Sequence, residues 1–225
     1  MLKKFTDEFE KIPFIYIADG HHRTTSSVLL AEELRLQNPN YDGNEAFNYF
    51  MAIYFPDDEL KIYEYNRLIK DLNSQTSEEI LEKLAGDFTI EKKYLVPFKP
   101  EHSRQFGLYL NKCWYSLSLK SDVLVTPGLV PSLDVSILYD HILAPLLGIM
   151  DLRTDNRVGF LSGVKGSNEL MRLVDSGKYA CAFTLFPVQG VQLYAISDSG
   201  KIMPPKSTWI EPKLRSGLVV YSLSD

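Results

Sequence analysis

Phe14-Ile15-Tyr16-Ile17-Ala18-Asp19-Gly20-His21-His22-Arg23-Thr24-Thr25-Ser26 is the stretch on which the reading of this chain turns. Phe14 to Ile17 are apolar and β-prone, which predicts a short strand. Val28, Leu29, Leu30, Ala31 and Leu34 then recur at helical spacing over a broad apolar face, which predicts a mostly buried helix. The polar residues between them form a strand-to-helix joint in which Gly20 supplies the sharp turn. The first N–H groups of a helix lack intrahelical partners, and the aligned peptide dipoles place partial positive charge there. An anion is stabilised at such a terminus, and Arg23, His21 and His22 add donors, so phosphate is the natural guest. The alternative is a structural joint in which Asp19 caps nearby N–H groups and the histidines are polar surface. A cap needs neither the histidines nor the arginine, which favours the anion site. A two-histidine metal site is weaker, because adjacent helical residues point about 100° apart. No metal ligand is assigned.

The 225 residues are enough for a substantial core, and 45% hydrophobic with 24% charged residues describes a globular chain. A net charge of −5 offers no basic footprint for duplex nucleic acid, so a nucleic-acid partner is not expected. No apolar run approaches the roughly 20 residues of a membrane span, and Met1 to Glu10 lack a signal-peptide core, so a cytoplasmic chain is expected. Cys113 and Cys181 lie in apolar, aromatic surroundings without a neighbouring histidine, the pattern of buried thiols rather than nucleophiles.

Asn38 to Asn44 is turn-rich, and Phe47 to Phe55, Pro56-Asp57-Asp58 and Leu60 to Tyr63 read as a hairpin. Thr76-Ser77-Glu78-Glu79 opens a helix that ends at Gly86, and Phe88 to Val96 is a strand. Two alternating runs flank Asn111-Lys112, which predicts a hairpin over 106–119. Thr126 to Pro131, with two prolines and a glycine, is the expected joint between lobes 1–125 and 126–225. A helix follows from Ser132-Leu133-Asp134, then strand, helix and strand over 158–162, 167–175 and 179–186. The expected class is α+β, with mixed sheets and packed helices.

Met203-Pro204-Pro205-Lys206-Ser207-Thr208-Trp209-Ile210-Glu211-Pro212-Lys213-Leu214-Arg215-Ser216-Gly217 is the second informative stretch. It gathers Lys206, Lys213 and Arg215 with the hydroxyls of Ser207 and Thr208 against one acid, a local positive island suited to phosphate. The alternative is a solvated loop; Trp209, as an anchor on the core, favours a defined surface. The loop is expected to fold back beside Asp19 to Arg23.

Asp19-Gly20-His21-His22-Arg23 and Met203 to Thr208 together resemble the signatures of an uncharacterised bacterial and archaeal family, the domain of unknown function DUF1015. Leu133 to Leu138, Leu147-Gly148-Ile149 and Gly217 to Val220 fit the same family, whose longer members the chain resembles in their C-terminal portion. At Tyr65-Asn66-Arg67 the family tends to carry a histidine before the arginine. The turn is similar in its turn to the nucleotide-binding turn of the ParB and sulfiredoxin superfamily, which includes free-serine kinases. That resemblance implies that Gly20, His22 and Arg23 hold phosphates and that Asp19 and His21 contact phosphate or substrate as catalytic candidates. His21 stands where sulfiredoxin has its cysteine, which argues against reductase chemistry. No residue here is matched to the kinases' glutamate base.

The implied function is a nucleotide-binding phosphotransferase, or a fragment of one. It would use ATP or ADP with Mg²⁺ on a small hydroxylated, serine-like metabolite, with Lys206, Ser207, Thr208 and Lys213 as further phosphate donors. The competing function is a noncatalytic regulatory module that binds a nucleotide or phosphometabolite at the same turn.

Overall fold

Asn111 and Lys112 both take positive φ, 49° and 57°, as a two-residue hairpin turn whose twist matches its strands demands. They join β4 (Gln105–Leu110) to β5 (Cys113–Leu119), and Leu110 faces Cys113 across the turn. The computed structural model describes residues 2–215 and 217–223, so Ser216 of the basic loop lies outside the described residues. Around the hairpin grows a six-stranded sheet in the order β3-β5-β4-β7-β2-β6, with β2 at Tyr65–Ile69, β3 at Phe88–Tyr94, β6 at Val158–Ser162 and β7 at Cys181–Leu185. The α+β class holds, and every pairing in this sheet is antiparallel rather than mixed.

Side chains alternate across a strand, so the sheet has two apolar faces. Phe106, Leu108 and Leu110 of β4 and Phe183 of β7 join one core with Ile80 and Leu84 of α3 (Ser77–Asp87), Ile137 of α4 (Asp134–Leu138) and Ile196 of α6 (Gly190–Asp198). Tyr109, Trp114 and Ala182 point the other way and pack with Leu170 and Val174 of α5 (Gly166–Asp175). Gly107 sits where any Cβ would lie 2.2 Å from Thr184 Oγ1, so only glycine lets these strands approach. The Thr76 hydroxyl accepts from Glu79 N–H at 3.2 Å and the Glu79 carboxylate accepts from Thr76 N–H at 2.8 Å, the reciprocal cap that the sequence signals. Helix α4 passes directly into a π turn over Tyr139–Leu143, where His141 Nδ1 lies 2.7 Å from Asp87 Oδ2.

The chain forms two compact units, Ile62–Glu211 and Met1–Lys61 with Pro212–Asp225. The joint expected at Thr126 to Pro131 falls inside the larger unit, because β3, β4 and β5 before it share one sheet with β6 and β7 after it.

The smaller unit holds α1 (Leu2–Phe9) and α2 (His21–Gln37). Three expectations change here. Residues 14–17 carry no ladder, and Phe14 is 74% exposed. Helix α2 forms, yet Ala31 is its one fully buried residue and Leu36 is 85% exposed. Phe47 to Phe55 forms no hairpin: short 3-10 turns occupy Ala46–Asn48 and Asp57–Glu59, and β1 (Lys61–Tyr63), which but for Lys61 belongs to the larger unit, pairs with β8 (Trp209–Glu211) of that unit. An extended, β-prone segment becomes a strand only when another backbone pairs with it, and that partner is non-local. Contacts within this unit include Arg35 Nε donating to Asn48 Oδ1 at 2.7 Å, Tyr221 OH donating to Ala46 O at 3.0 Å, and the Phe9 and Tyr54 rings meeting edge-on with centres 4.9 Å apart.

Candidate functional site

Gly20 is the N-cap of α2 and adopts the left-handed conformation, φ 85° and ψ 20°, which favours glycine. Thr24 N–H donates to Gly20 O at 2.9 Å and closes the first helical turn. Asp19 Oδ1 accepts from Gly20 N–H at 2.8 Å, so the carboxylate serves the turn but not the helix itself. Among the described residues no side chain caps α2, and the N–H groups of His21, His22 and Arg23 have no intrahelical acceptor. Arg23 folds back over the turn, because a Cβ on Gly20 would lie 3.3 Å from its Nη2. His21, His22 and Arg23 are all exposed.

The other strand of the site arrives from the far end of the sequence, within the same unit. Lys213 Nζ donates to Asp19 Oδ2 at 2.9 Å, with side-chain exposures of 34% and 55%. Partial burial pushes the Asp19 carboxyl up, but hydrogen bonds from Lys213 and Gly20 N–H, with the charges of Lys213 and Arg23, outweigh it. The net effect holds the carboxyl below its ordinary value. Asp19 is therefore ionised at neutral pH and is a weak proton acceptor. Neither His21 nor His22 has a hydrogen-bonding partner for its ring among the described residues.

Lys206, Ser207 and Thr208 belong to the larger unit and have surroundings of their own. Lys206 takes φ 57° and places its ammonium 5.5 Å from the Tyr65 ring centre. Ser207 is buried, and its hydroxyl donates to Pro204 O at 2.6 Å, so that proton is spent inside the loop. Trp209 packs edge-on against Tyr65 with ring centres 5.5 Å apart, which makes it the anchor expected of it.

The loop's other anchor is Arg67, a residue that the sequence singled out only for its departing neighbour. Its guanidinium is fully buried, lies 4.8 Å from the Phe160 ring centre, and donates to Tyr65 O and, at 3.1 Å, to Lys206 O. Its Nε has no partner among the described residues. Burial pulls its pKa down to about 10, so it remains a cation at neutral pH. An arginine inside the apolar strand Tyr65–Ile69 was the signal available in the sequence.

Among the described residues no group of three or more His, Cys, Asp or Glu is placed to hold a metal ion, and no helix is long and apolar enough to cross a membrane. Both cysteines are buried and unpaired, and burial pushes the Cys181 thiol up to about 12, so it stays protonated.

A family model described as "Protein of unknown function (DUF1015)" matches residues 1–136, which include the turn and leave Met203 to Thr208 outside the match. No curated protein matches the chain. Among solved structures it is similar to free serine kinase in complex with AMP, at 17% identity and a TM-score of 0.41, with 87% of this chain and 66% of that chain covered. A variant of that kinase in complex with ADP gives 18% identity, a TM-score of 0.40 and the same coverage, 87% and 66%. A conserved hypothetical protein from Pyrococcus furiosus gives 16% identity and a TM-score of 0.43, covering 89% of this chain and 73% of that one. The chain thus spans just under two thirds of the kinase's length.

Proposed function

The chain belongs to the DUF1015 family of proteins of unknown function, and we propose that it holds the phosphates of ADP or ATP at the turn Asp19 to Arg23, as part of a phosphotransferase acting on a small hydroxylated, serine-like metabolite. The observation that carries this reading is the uncapped terminus of the 17-residue helix α2, opened by a left-handed Gly20 with Arg23 folded over it. Backbone N–H groups, helix dipole and guanidinium there converge on one exposed position. Lys213 supplies a second cation. Its pair with Asp19 is half-exposed, and such surface pairs contribute about 0–1 kcal/mol, so exchanging that carboxylate for a phosphate costs little.

Phosphoryl transfer needs positioning and charge neutralisation more than covalent chemistry. Gly20, His22, Arg23 and Lys213 are assigned the positioning of phosphate; His21, exposed beside them, is the remaining candidate for contact with the accepting hydroxyl. Lys206, Ser207 and Thr208 are not needed by this reading. Mg²⁺ does not fit the residues of the turn: Asp19 is its one carboxylate, and both of its oxygens are engaged by Gly20 N–H and Lys213. The cytoplasm is the proposed compartment, in keeping with two unpaired buried cysteines.

A second reading, a noncatalytic module that binds a nucleotide or phosphometabolite, is favoured by one observation. Of the two catalytic candidates, Asp19 is a weakened base and His21 has no partner to orient its ring among the described residues. Phosphorus NMR of the chain with ADP or ATP and serine separates the readings. Phosphoserine formation supports the phosphotransferase, nucleotide line shifts without product support the module, and unperturbed nucleotide lines overturn the phosphotransferase and a nucleotide-binding module alike.

A further inference from the structure

In the larger unit, a cavity of about 360 Å³ opens between helix α4 with its π turn, the loop before it, the loop after it, and the proline pair Pro204-Pro205. Small-molecule sites run from roughly 300 to 1,000 Å³, so this one suits a compact ligand. Its floor is apolar, formed by Val130, Val135, Leu152 and Pro204. Two of the three hydroxyls on the wall are already spent, and that of Thr126 is unengaged among the described residues. Ser136 Oγ donates to Val130 O at 2.7 Å and Tyr139 OH to Met150 O at 2.7 Å. The Asp151 carboxylate is committed too, accepting from Arg153 N–H at 2.8 Å and from the Thr154 hydroxyl at 3.1 Å.

The lining thus carries two carboxylates and one guanidinium, of which the Asp140 carboxylate and the Arg153 guanidinium remain without a hydrogen bond. Both residues are exposed, and among the described residues neither side chain is engaged in a hydrogen bond or ion pair. An apolar floor with one guanidinium and one carboxylate unengaged on the same lining is complementary to a molecule that carries a carboxylate, an ammonium and an apolar body. We propose that this cavity binds a free α-amino acid with an apolar side chain, leucine or methionine in size. Arg153 receives the carboxylate in a planar, charge-assisted contact, Asp140 accepts from the ammonium, and the side chain displaces water from the floor. A bare hydrocarbon leaves both charges unanswered, and serine leaves the floor unfilled. The site lies within the larger unit and uses none of the residues of the Asp19 to Arg23 turn, so it stands or falls independently of nucleotide binding.

The test is calorimetric titration of the full chain with leucine, methionine, serine, 4-methylpentanoate, which lacks the ammonium, and 3-methylbutylamine, which lacks the carboxylate. Leucine and methionine should bind, and serine and both truncated analogues should bind at least about tenfold more weakly. Arg153→Ala should bring leucine down to the affinity of the amine, and Asp140→Asn to that of the carboxylate. Both side chains are exposed, so the fold survives either change, and a circular dichroism spectrum confirms it. Equal affinity for leucine and 4-methylpentanoate overturns the proposal, as does leucine binding that is unaffected by either substitution, or no leucine binding at all.

Discussion

Lys213 Nζ lies 2.9 Å from Asp19 Oδ2, joining residues 194 positions apart and bringing a basic residue of the proline-rich loop onto the histidine turn. Lys213, Arg23 and the terminus of α2 together outnumber the single Asp19 carboxylate, so the turn is electropositive in a chain whose net charge is −5. Charge collected against the overall balance is the physical core of the anion-binding account.

Replacing Lys213 by methionine should raise the pKa of Asp19. The carboxyl is held below its ordinary 3.8, so the pair contributes stability above that pH and loses it as pH falls through the lowered value. Carbon NMR titration of the Asp19 carboxyl reads this directly. An Asp19 midpoint that does not move in Lys213→Met shows that the pair is not formed in solution.

Gly20→Ala should loosen the turn. Its φ of 85° strains any residue with a Cβ, at a cost of about 1 kcal/mol, and the added carbon meets Arg23 Nη2 at 3.3 Å. Thermal unfolding should start earlier and ADP affinity should drop. Wild-type melting together with wild-type affinity would mean that the left-handed turn does not matter.

Apolar side chains in the two units should respond differently to truncation. Leu108 is fully buried between strands and helices, so Leu108→Ala should lower the unfolding free energy by about 2–5 kcal/mol. Leu36 is 85% exposed, so Leu36→Ala should change it by less than about 0.5 kcal/mol. Denaturant titrations of the two variants check the contrast, and equal losses would show that Leu36 is part of a core.

Local chemistry was legible in the sequence where its consequences are local. Asn111-Lys112 and the Thr76–Glu79 pair declare a hairpin and a helix start without help from the rest of the chain. Phe14 to Ile17 and Phe47 to Phe55 have strand composition but no ladder, because pairing depends on a second backbone that composition does not name. Helix α6 escaped the reading because its capping box is built from Gln189 and Gln192 instead of the usual serine or threonine opening. At the site, the residue types of the turn and the positive character of the loop were readable. The pairing of Lys213 with Asp19 and the role of Arg67 in anchoring the Lys206 turn are tertiary, and no spacing encodes them.

Calorimetric titration of ADP into the wild-type chain and into Arg23→Ala bears most directly on the central claim. The account predicts saturable binding by the wild type and a loss of about 1.5–3 kcal/mol in the variant, the value of a hydrogen bond to a charged group. Equal ADP affinity in the two proteins would contradict it.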